Sequence, residues 1–190
     1  EAGRQSRSGL GAAGEDARSE VRNLDLASLD SVREFSESLD SDLPEGLDLL
    51  INNAGVMAPP QLRTEEGFEL QFGTNHLGHF ALTGRLFNAL KRKPESRVIT
   101  ISSVAARFGD LNFDDLQSTQ GYRRWAAYGQ SKLANLVFAM DLQALITEAG
   151  LEMKSMAAHP GVSNTNLTSA GNDLDSGLFG LLSKPFLMLS

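Results

Sequence analysis

The sequence has no cysteine, which excludes disulfides, thiolate metal centres, iron–sulfur clusters and a cysteine nucleophile. Positive charge is in the minority, with 17 Lys+Arg against 24 Asp+Glu in 190 residues and a formal net charge of −7. Without a Lys/Arg stripe the chain lacks the phosphate-neutralising surface on which nucleic-acid affinity rests, so no nucleic acid is expected as a partner. Long apolar runs are missing too. LFGLLSKPFLMLS (178–190) comes nearest, but a bilayer span needs about 20 residues, and Lys184 and Pro185 interrupt this one, so no membrane span is expected. The segment reads as a lid, or as a surface for lipophilic ligands or membrane, with the lid the preferred reading. The opening EAGRQSRSGL lacks the apolar stretch of a secretory signal, and a cytoplasmic location is expected. Hydrolase signatures are also absent. No GxSxG surrounds Ser103, and His76, His79 and His159 form no HExxH, so neither a serine hydrolase nor a metal site is motivated.

What remains describes one globular domain over residues 1–190, 41% apolar and long enough to bury a proper core. Residues 1–20, rich in Gly, Ser, Ala and charge, read as a loop or linker. Short apolar strands and amphipathic helices then alternate. VRNLDL (21–26) is a strand candidate, followed by Ser28 or Ser31 as a helix cap ahead of Val32, Phe35 and Leu39. LDLLINNA (47–54) is a near-continuous apolar run, as suits a strand buried on both faces. Residues 64–92 read as a long helix with Phe68, Phe72, Phe80, Phe87 and Leu90 in one stripe. RVITISS (97–103) is a β-branched strand, residues 126–149 a helix apolar almost all round, and MKSMAAHPG (153–161) the last strand. Such alternation specifies a parallel α/β sheet with its ligands at the strand C-terminal ends.

Four polar clusters fall at those ends or on the helices that follow. Asn52-Asn53-Ala54-Gly55 closes the second strand candidate, and its amides either tie strands together or meet a ligand that Gly55 lets approach closely. Ser102-Ser103 ends the next strand, where on its own a Ser pair is most often a helix cap. Tyr128 and Lys132 stand four residues apart, on one helix face. An ammonium there would favour the phenolate and bring a phenol with an ordinary pKa near 10 toward neutrality. His159-Pro160-Gly161, followed by Thr165, has the form of an ordinary strand exit.

In this order the four clusters resemble the short-chain dehydrogenase/reductase family, whose hallmarks are NNAG, a helix Asn, a Ser after a strand, YxxxK and PGxxxT. The resemblance spans about residues 21–170. DDLQ (114–117), AYGQSKLANLVFA (127–139) and the long insert before Tyr128 are similar to the branch holding retinol dehydrogenases, protochlorophyllide reductase and the WW-domain oxidoreductase. The resemblance implies a Rossmann-type doubly wound sheet in three α/β/α layers. It also implies hydride transfer between NADP, slightly favoured, or NAD and a small-molecule carbonyl or alcohol, with a lipophilic one expected. Tyr128 would be the general acid/base. Lys132 would lower its pKa and hold the nicotinamide ribose, Ser103 would bond the substrate oxygen, and Asn75 in TNHLGHF would hold a relay water. For the cofactor, Asp25 matches an adenine contact, and Asn53, Ala54 and Gly55 the adenosine ribose segment. Pro160, Gly161, Val162 and Thr165 match the turn along the nicotinamide, and residues 166–190 the substrate lid. Equivalent helices often pair between subunits in the family, so a homodimer or tetramer is expected.

The match has gaps. The family's first strands, with their Gly-rich phosphate turn, and its last strand have no counterpart in the sequence. Gly9-Leu-Gly11-Ala-Ala-Gly14 spells GxGxxG, but no apolar strand precedes it, so it reads as a coincidence. The competing reading is therefore a non-catalytic dehydrogenase-like module for binding or regulation. His76 and His79 read as packing or solvent-exposed residues and not as catalytic ones. Tyr122 and Trp125 read as a substrate entrance or a core anchor, Arg123-Arg124 as a solvated face, and the Asn166-Leu-Thr168 sequon as chance.

Overall fold

The computed structural model describes residues 19–161. Three strands, β1 (Leu49–Asn52), β2 (Arg97–Ile101) and β3 (Lys154–Ala158), form a parallel sheet in the order β1-β2-β3. Leu50 pairs with Val98 and Val98 with Ser155, while Ile51 pairs with Ile99 and Ile99 with Met156. Parallel strands need long crossovers, and the helices supply them. Before β1 comes α1 (Leu29–Asp42). Between β1 and β2 the chain forms α2 (Leu70–Phe72), a π-helical turn (Gly73–Leu77) and α3 (Gly78–Lys91) without interruption. Between β2 and β3 lie a 3-10 helix (Val104–Phe108) and α4 (Arg124–Glu148).

Among the described residues these helices cover one face of the sheet. Leu90 of α3 and Ile146 of α4 close over Val98 together with Met153, and Leu82 and Leu86 of α3 meet Val32 of α1, with Leu50 packed against both clusters. Ile51 and Met156 on the other face remain 52% and 40% exposed. The parallel doubly wound class thus stands, and its second helical layer has no member among the described residues. Because the strands are parallel, Asn52, Ile101 and Ala158 end along one edge of the sheet, where chemistry in such folds gathers.

Three expectations need correction. Residues 21–26 form no strand; Leu24 and Leu26 pack as extended chain against the α1–α3 cluster, and a Cβ on Gly78 would stand 2.5 Å from the Leu26 carbonyl oxygen. That close approach anchors the segment to a helix and not to the sheet. The helix expected from residue 64 begins at Leu70, after a turn closed by an Arg63–Glu69 bridge and capped by Glu69, whose carboxylate accepts from Gln71 N and Phe72 N. The phenylalanines do not form one stripe, since Phe72 is buried and Phe80 is 54% exposed. A π-helical turn inserts one residue and so rotates the later positions by about 100°. Ser28 is the cap of α1, accepting from Ser31 N, while Ser31 Oγ accepts from Asp25 N. The N-terminal loop to residue 18, Val162, Thr165 and the expected lid lie outside the described residues.

Candidate active site

The end of β2 and the middle of α4 are joined by their own polar groups. Ser102 is buried, and its hydroxyl donates to the Lys132 main-chain carbonyl at 2.7 Å. Ser103 caps the 3-10 helix by accepting from Ala105 N at 3.2 Å, and its side chain lies near enough to Tyr128 to draw the phenol's pKa down in part. The Ser pair therefore combines a capping role with contact to the candidate acid/base. Two glycines allow this contact. A Cβ on Gly109 would collide with the Gly129 carbonyl oxygen, so the turn after Ser103 rests directly on the helix backbone one residue beyond Tyr128.

Lys132 is 5% exposed and extends along the same face. Its ammonium donates to the Ile101 carbonyl at 3.0 Å and stands 5.8 Å from the centre of the Tyr128 ring. Burial without a counter-charge lowers its pKa from 10.5 to about 8. Tyr128 is held against Trp125, edge to face at 6.1 Å. Its phenol is raised above its ordinary value, because burial outweighs the hydrogen bond from Ser103. Sequence reasoning expected Lys132 to lower it. In this arrangement the lysine donates to a backbone carbonyl and not to the phenol oxygen, so desolvation prevails.

Asn75 enters from the π-helical turn and is fully buried. Its amide oxygen accepts from Val56 N at 2.8 Å, and its amide nitrogen donates to the Val56 carbonyl at 3.0 Å and to Ser131 Oγ at 2.9 Å. Ser131 in turn donates to the Tyr128 carbonyl. Asn75 therefore ties the loop after β1 to the helix of Tyr128. Its own carbonyl meets Nδ1 of His79 at 2.9 Å, and since a carbonyl can only accept, that nitrogen carries the proton. His76 Nδ1 lies 3.2 Å from Asn135 Oδ1. Burial pushes both imidazoles below their ordinary pKa, which keeps them neutral near pH 7.

The loop leaving β1 differs in character. Asn52 is buried and donates to Thr83 Oγ1 at 2.9 Å, tying strand to helix, whereas Asn53, Ala54 and Gly55 are exposed. A Cβ on Gly55 would stand 2.7 Å from Asn75 Oδ1 and 3.7 Å from Lys132 Nζ. The missing side chain thus makes room for the Asn75 amide, and the backbone stands within ordinary contact range of the ammonium. Asp25 is exposed on the turn before α1, its carboxylate accepting from Ala27 N. Pro160 and Gly161 are exposed beyond β3, where Gly161 has a φ of 74° and donates to His159 Nδ1.

The residues present fit one end of a nicotinamide dinucleotide. Lys132 has three N–H donors and spends one on Ile101, leaving donors for vicinal hydroxyls. Gly55 keeps open the space a Cβ would fill beside it. Asn135 is a participant that sequence reasoning passed over. Its Nδ2 donates to the same Ile101 carbonyl at 3.1 Å, and the signal was its place three residues beyond Lys132 on a helix.

Comparison with known proteins agrees with this geometry. The family model for short chain dehydrogenase matches residues 2–174. Retinol dehydrogenase 14 of Homo sapiens is 48% identical over 147 residues, covering 77% of this chain and 43% of its own length. Polyprenol dehydrogenase of Homo sapiens is 45% identical over 148 residues, covering 75% of this chain and 44% of its own length. The chain spans about half the length of the curated relatives it matches. Among solved structures, an uncharacterised protein from Mycobacterium paratuberculosis is 50% identical with a TM-score of 0.70, covering 85% of this chain and 57% of its own. RhlG of Pseudomonas aeruginosa, solved as an NADP active-site complex, is 26% identical with a TM-score of 0.56, covering 76% of this chain and 54% of its own.

Proposed function

This chain belongs to the short-chain dehydrogenase family, and on that premise we propose that it transfers hydride between NADP(H) and a lipophilic carbonyl or alcohol. The observation that carries the proposal is the convergence of Ser103, Tyr128 and Lys132 at the end of β2, with Gly55 and Asn75 closing the side toward β1. The nicotinamide, when bound, supplies the hydride.

The chain's own residues do the rest. In the reductive direction Tyr128 gives its phenolic proton to the substrate oxygen. Ser103 donates to that same oxygen as negative charge develops, and so acts as an oxyanion donor. Lys132, desolvated and without a counter-charge, favours the phenolate left behind and holds hydroxyls of the nicotinamide ribose. Asn75 keeps the loop after β1 at a fixed distance from the helix of Tyr128. Asn53, Ala54, Gly55 and Asp25 serve the adenosine half, and Pro160 and Gly161, with Val162 and Thr165, the nicotinamide carboxamide.

Lipophilic substrates are favoured by the exposed Met57, Leu62, Phe108 and Phe113, all in the segments that follow the C-terminal ends of β1 and β2. They are favoured as well by the names of relatives, which include retinol and polyprenol dehydrogenases. NADP(H) ahead of NAD(H) follows the branch and the ligand of RhlG. Self-association belongs to the same reading, supported by Phe80 on α3 and Met140 and Leu145 on α4, which are apolar and exposed.

The test is a titration of the full chain with NADPH and with NADH by nicotinamide fluorescence, followed by turnover of a long-chain aldehyde by wild type and Tyr128→Phe. We expect NADPH to bind both proteins alike and turnover to fall by about 10²–10⁴-fold in the variant. Undiminished turnover by Tyr128→Phe, or a folded chain that binds neither nucleotide, overturns the proposal.

A further inference from the structure

Ile101 ends β2 with a carbonyl that serves two donors from one helix face. Lys132 Nζ lies 3.0 Å from it and Asn135 Nδ2 3.1 Å. A carbonyl oxygen has two lone pairs, so both bonds are made at once and the two donors stand side by side on one acceptor. Asn135 is itself fixed. It is 1% exposed, and its Oδ1 receives the proton of His76 Nδ1 at 3.2 Å from the π-helical turn. His76 is wedged between Phe72, at 5.2 Å between ring centres, and Phe80 and Phe138, each at 6.2 Å. A chain of contacts therefore runs from an aromatic cluster through His76 and Asn135 to the strand end that holds the lysine.

We infer that Asn135 is a positioning residue for Lys132: by occupying the second lone pair of the Ile101 carbonyl with a neutral amide, it sets the place of the ammonium and keeps a charge or water from that side. The titratable groups facing Lys132 are Tyr128 on its own helix and His79 from α3, with His76 behind Asn135. None of them is an anion near pH 7. A neutral neighbour at position 135 is therefore what leaves the ammonium desolvated and unpaired, consistent with its pKa near 8. The inference about catalysis rests on the proposed dehydrogenase reading, whereas the effect on Lys132 does not.

The experiment uses the full chain without nucleotide, labelled with 13Cε-lysine. The sequence has five lysines, and Lys132→Arg identifies the signal. The ε-methylene shift is followed against pH in wild type, Asn135→Asp and Asn135→Ala. Asn135→Asp places a carboxylate beside the ammonium, and Asn135→Ala admits solvent, so each should raise the Lys132 pKa by about one unit or more, a tenfold change in proton affinity. If Asn135→Asp does not fold, Asn135→Ala decides. The basic limb of a turnover profile should move in the same direction, which a merely structural residue would not cause. A Lys132 pKa unchanged in the folded variants overturns the inference. A shifted Lys132 in a protein that turns over no substrate leaves the positioning role intact and refutes the dehydrogenase reading instead.

Discussion

The two strand ends that build the site are organised in opposite ways. At the end of β2 the polar groups are committed within the chain: Ser102 to Lys132 O, Ile101 O to Lys132 and Asn135, and Ser103 to Ala105 N. At the end of β1 the buried Asn52 is bonded to Thr83, and the next three residues are exposed, with Asn53 N donating to the nearby Ile51 carbonyl. One end is assembled before any ligand arrives, and the other presents backbone for a ligand to meet. Proton transfer rewards the first arrangement because groups held in place need no reorganisation during reaction. The cost falls on Lys132, an ammonium kept in a buried position without an anion.

That cost gives the largest expected effect. Lys132→Met should stabilise the nucleotide-free chain by up to about 3 kcal/mol at pH 7, the equivalent of lowering a lysine from 10.5 to about 8. Here the folded-state value lies below the unfolded one, so the unfolded chain binds more protons between the two. The penalty is complete below pH 8, and it fades as the pH rises to 10.5. Urea denaturation of wild type should accordingly show a gain in stability from Lys132 across that window which the variant lacks. If Lys132→Met is the less stable protein at pH 7, the ammonium is compensated in some other way and the contrast between the strand ends weakens.

The opposite end is probed by Gly55→Ala. The new methyl would lie 2.7 Å from Asn75 Oδ1, which must retreat from its bond to Val56 N. Overpacking of this kind costs about 2 kcal/mol, and we expect a corresponding drop in stability. NADPH affinity should fall by about tenfold or more through displacement of the loop after β1, while the Lys132 pKa changes little. A variant that binds NADPH as wild type does would mean that the loop after β1 is not the surface that meets the nucleotide.

How much of this was legible follows the same division. The strands over 47–54, 97–103 and 153–161 were readable because β-branched or apolar runs ended in Asn, Ser or Pro-Gly, and the Tyr128–Lys132 face because a separation of four has one geometric meaning on a helix. The π-helical turn was not, since one inserted residue leaves no mark on composition and disturbs the very periodicity by which a helix is read. It displaced Phe80 from the expected stripe. The start of that helix was misplaced for a related reason. Thr64 and Phe68 continue a helical spacing, but Phe68 N and O are used in a turn, donating to Thr64 Oγ1 and accepting from Thr64 N. Residues 21–26 carried a strand's composition and found their apolar partner in α3. Asn135 escaped notice because its significance depends on Ile101, 34 residues earlier, which only the fold brings near.

The smallest effect concerns the element between the two ends. His76 and His79 lie in or just beyond the π-helical turn, half-buried and buried respectively, each giving its Nδ1 proton to an oxygen. Their folded-state pKa values lie below the ordinary 6.5. The unfolded chain therefore takes up protons first as the pH falls, and stability declines below pH 6.5 until the folded imidazoles also protonate. Thermal midpoints from pH 7 down to about 5.5 should fall, staying above the range where ordinary carboxylates titrate. The fall should shrink in His76→Gln, which removes one of the two groups. Protonation adds a charge at Nε2 and leaves both Nδ1 donors in place, so the bonds to Asn135 and to Asn75 O persist and the cost is that of desolvating a charged ring. Hydrogen exchange at Val56 N, the donor to Asn75, should therefore stay slow while the thermal midpoint falls. Exchange that quickens over the same range would show that the charged imidazoles open the π-helical turn itself, and with it the link between the two strand ends.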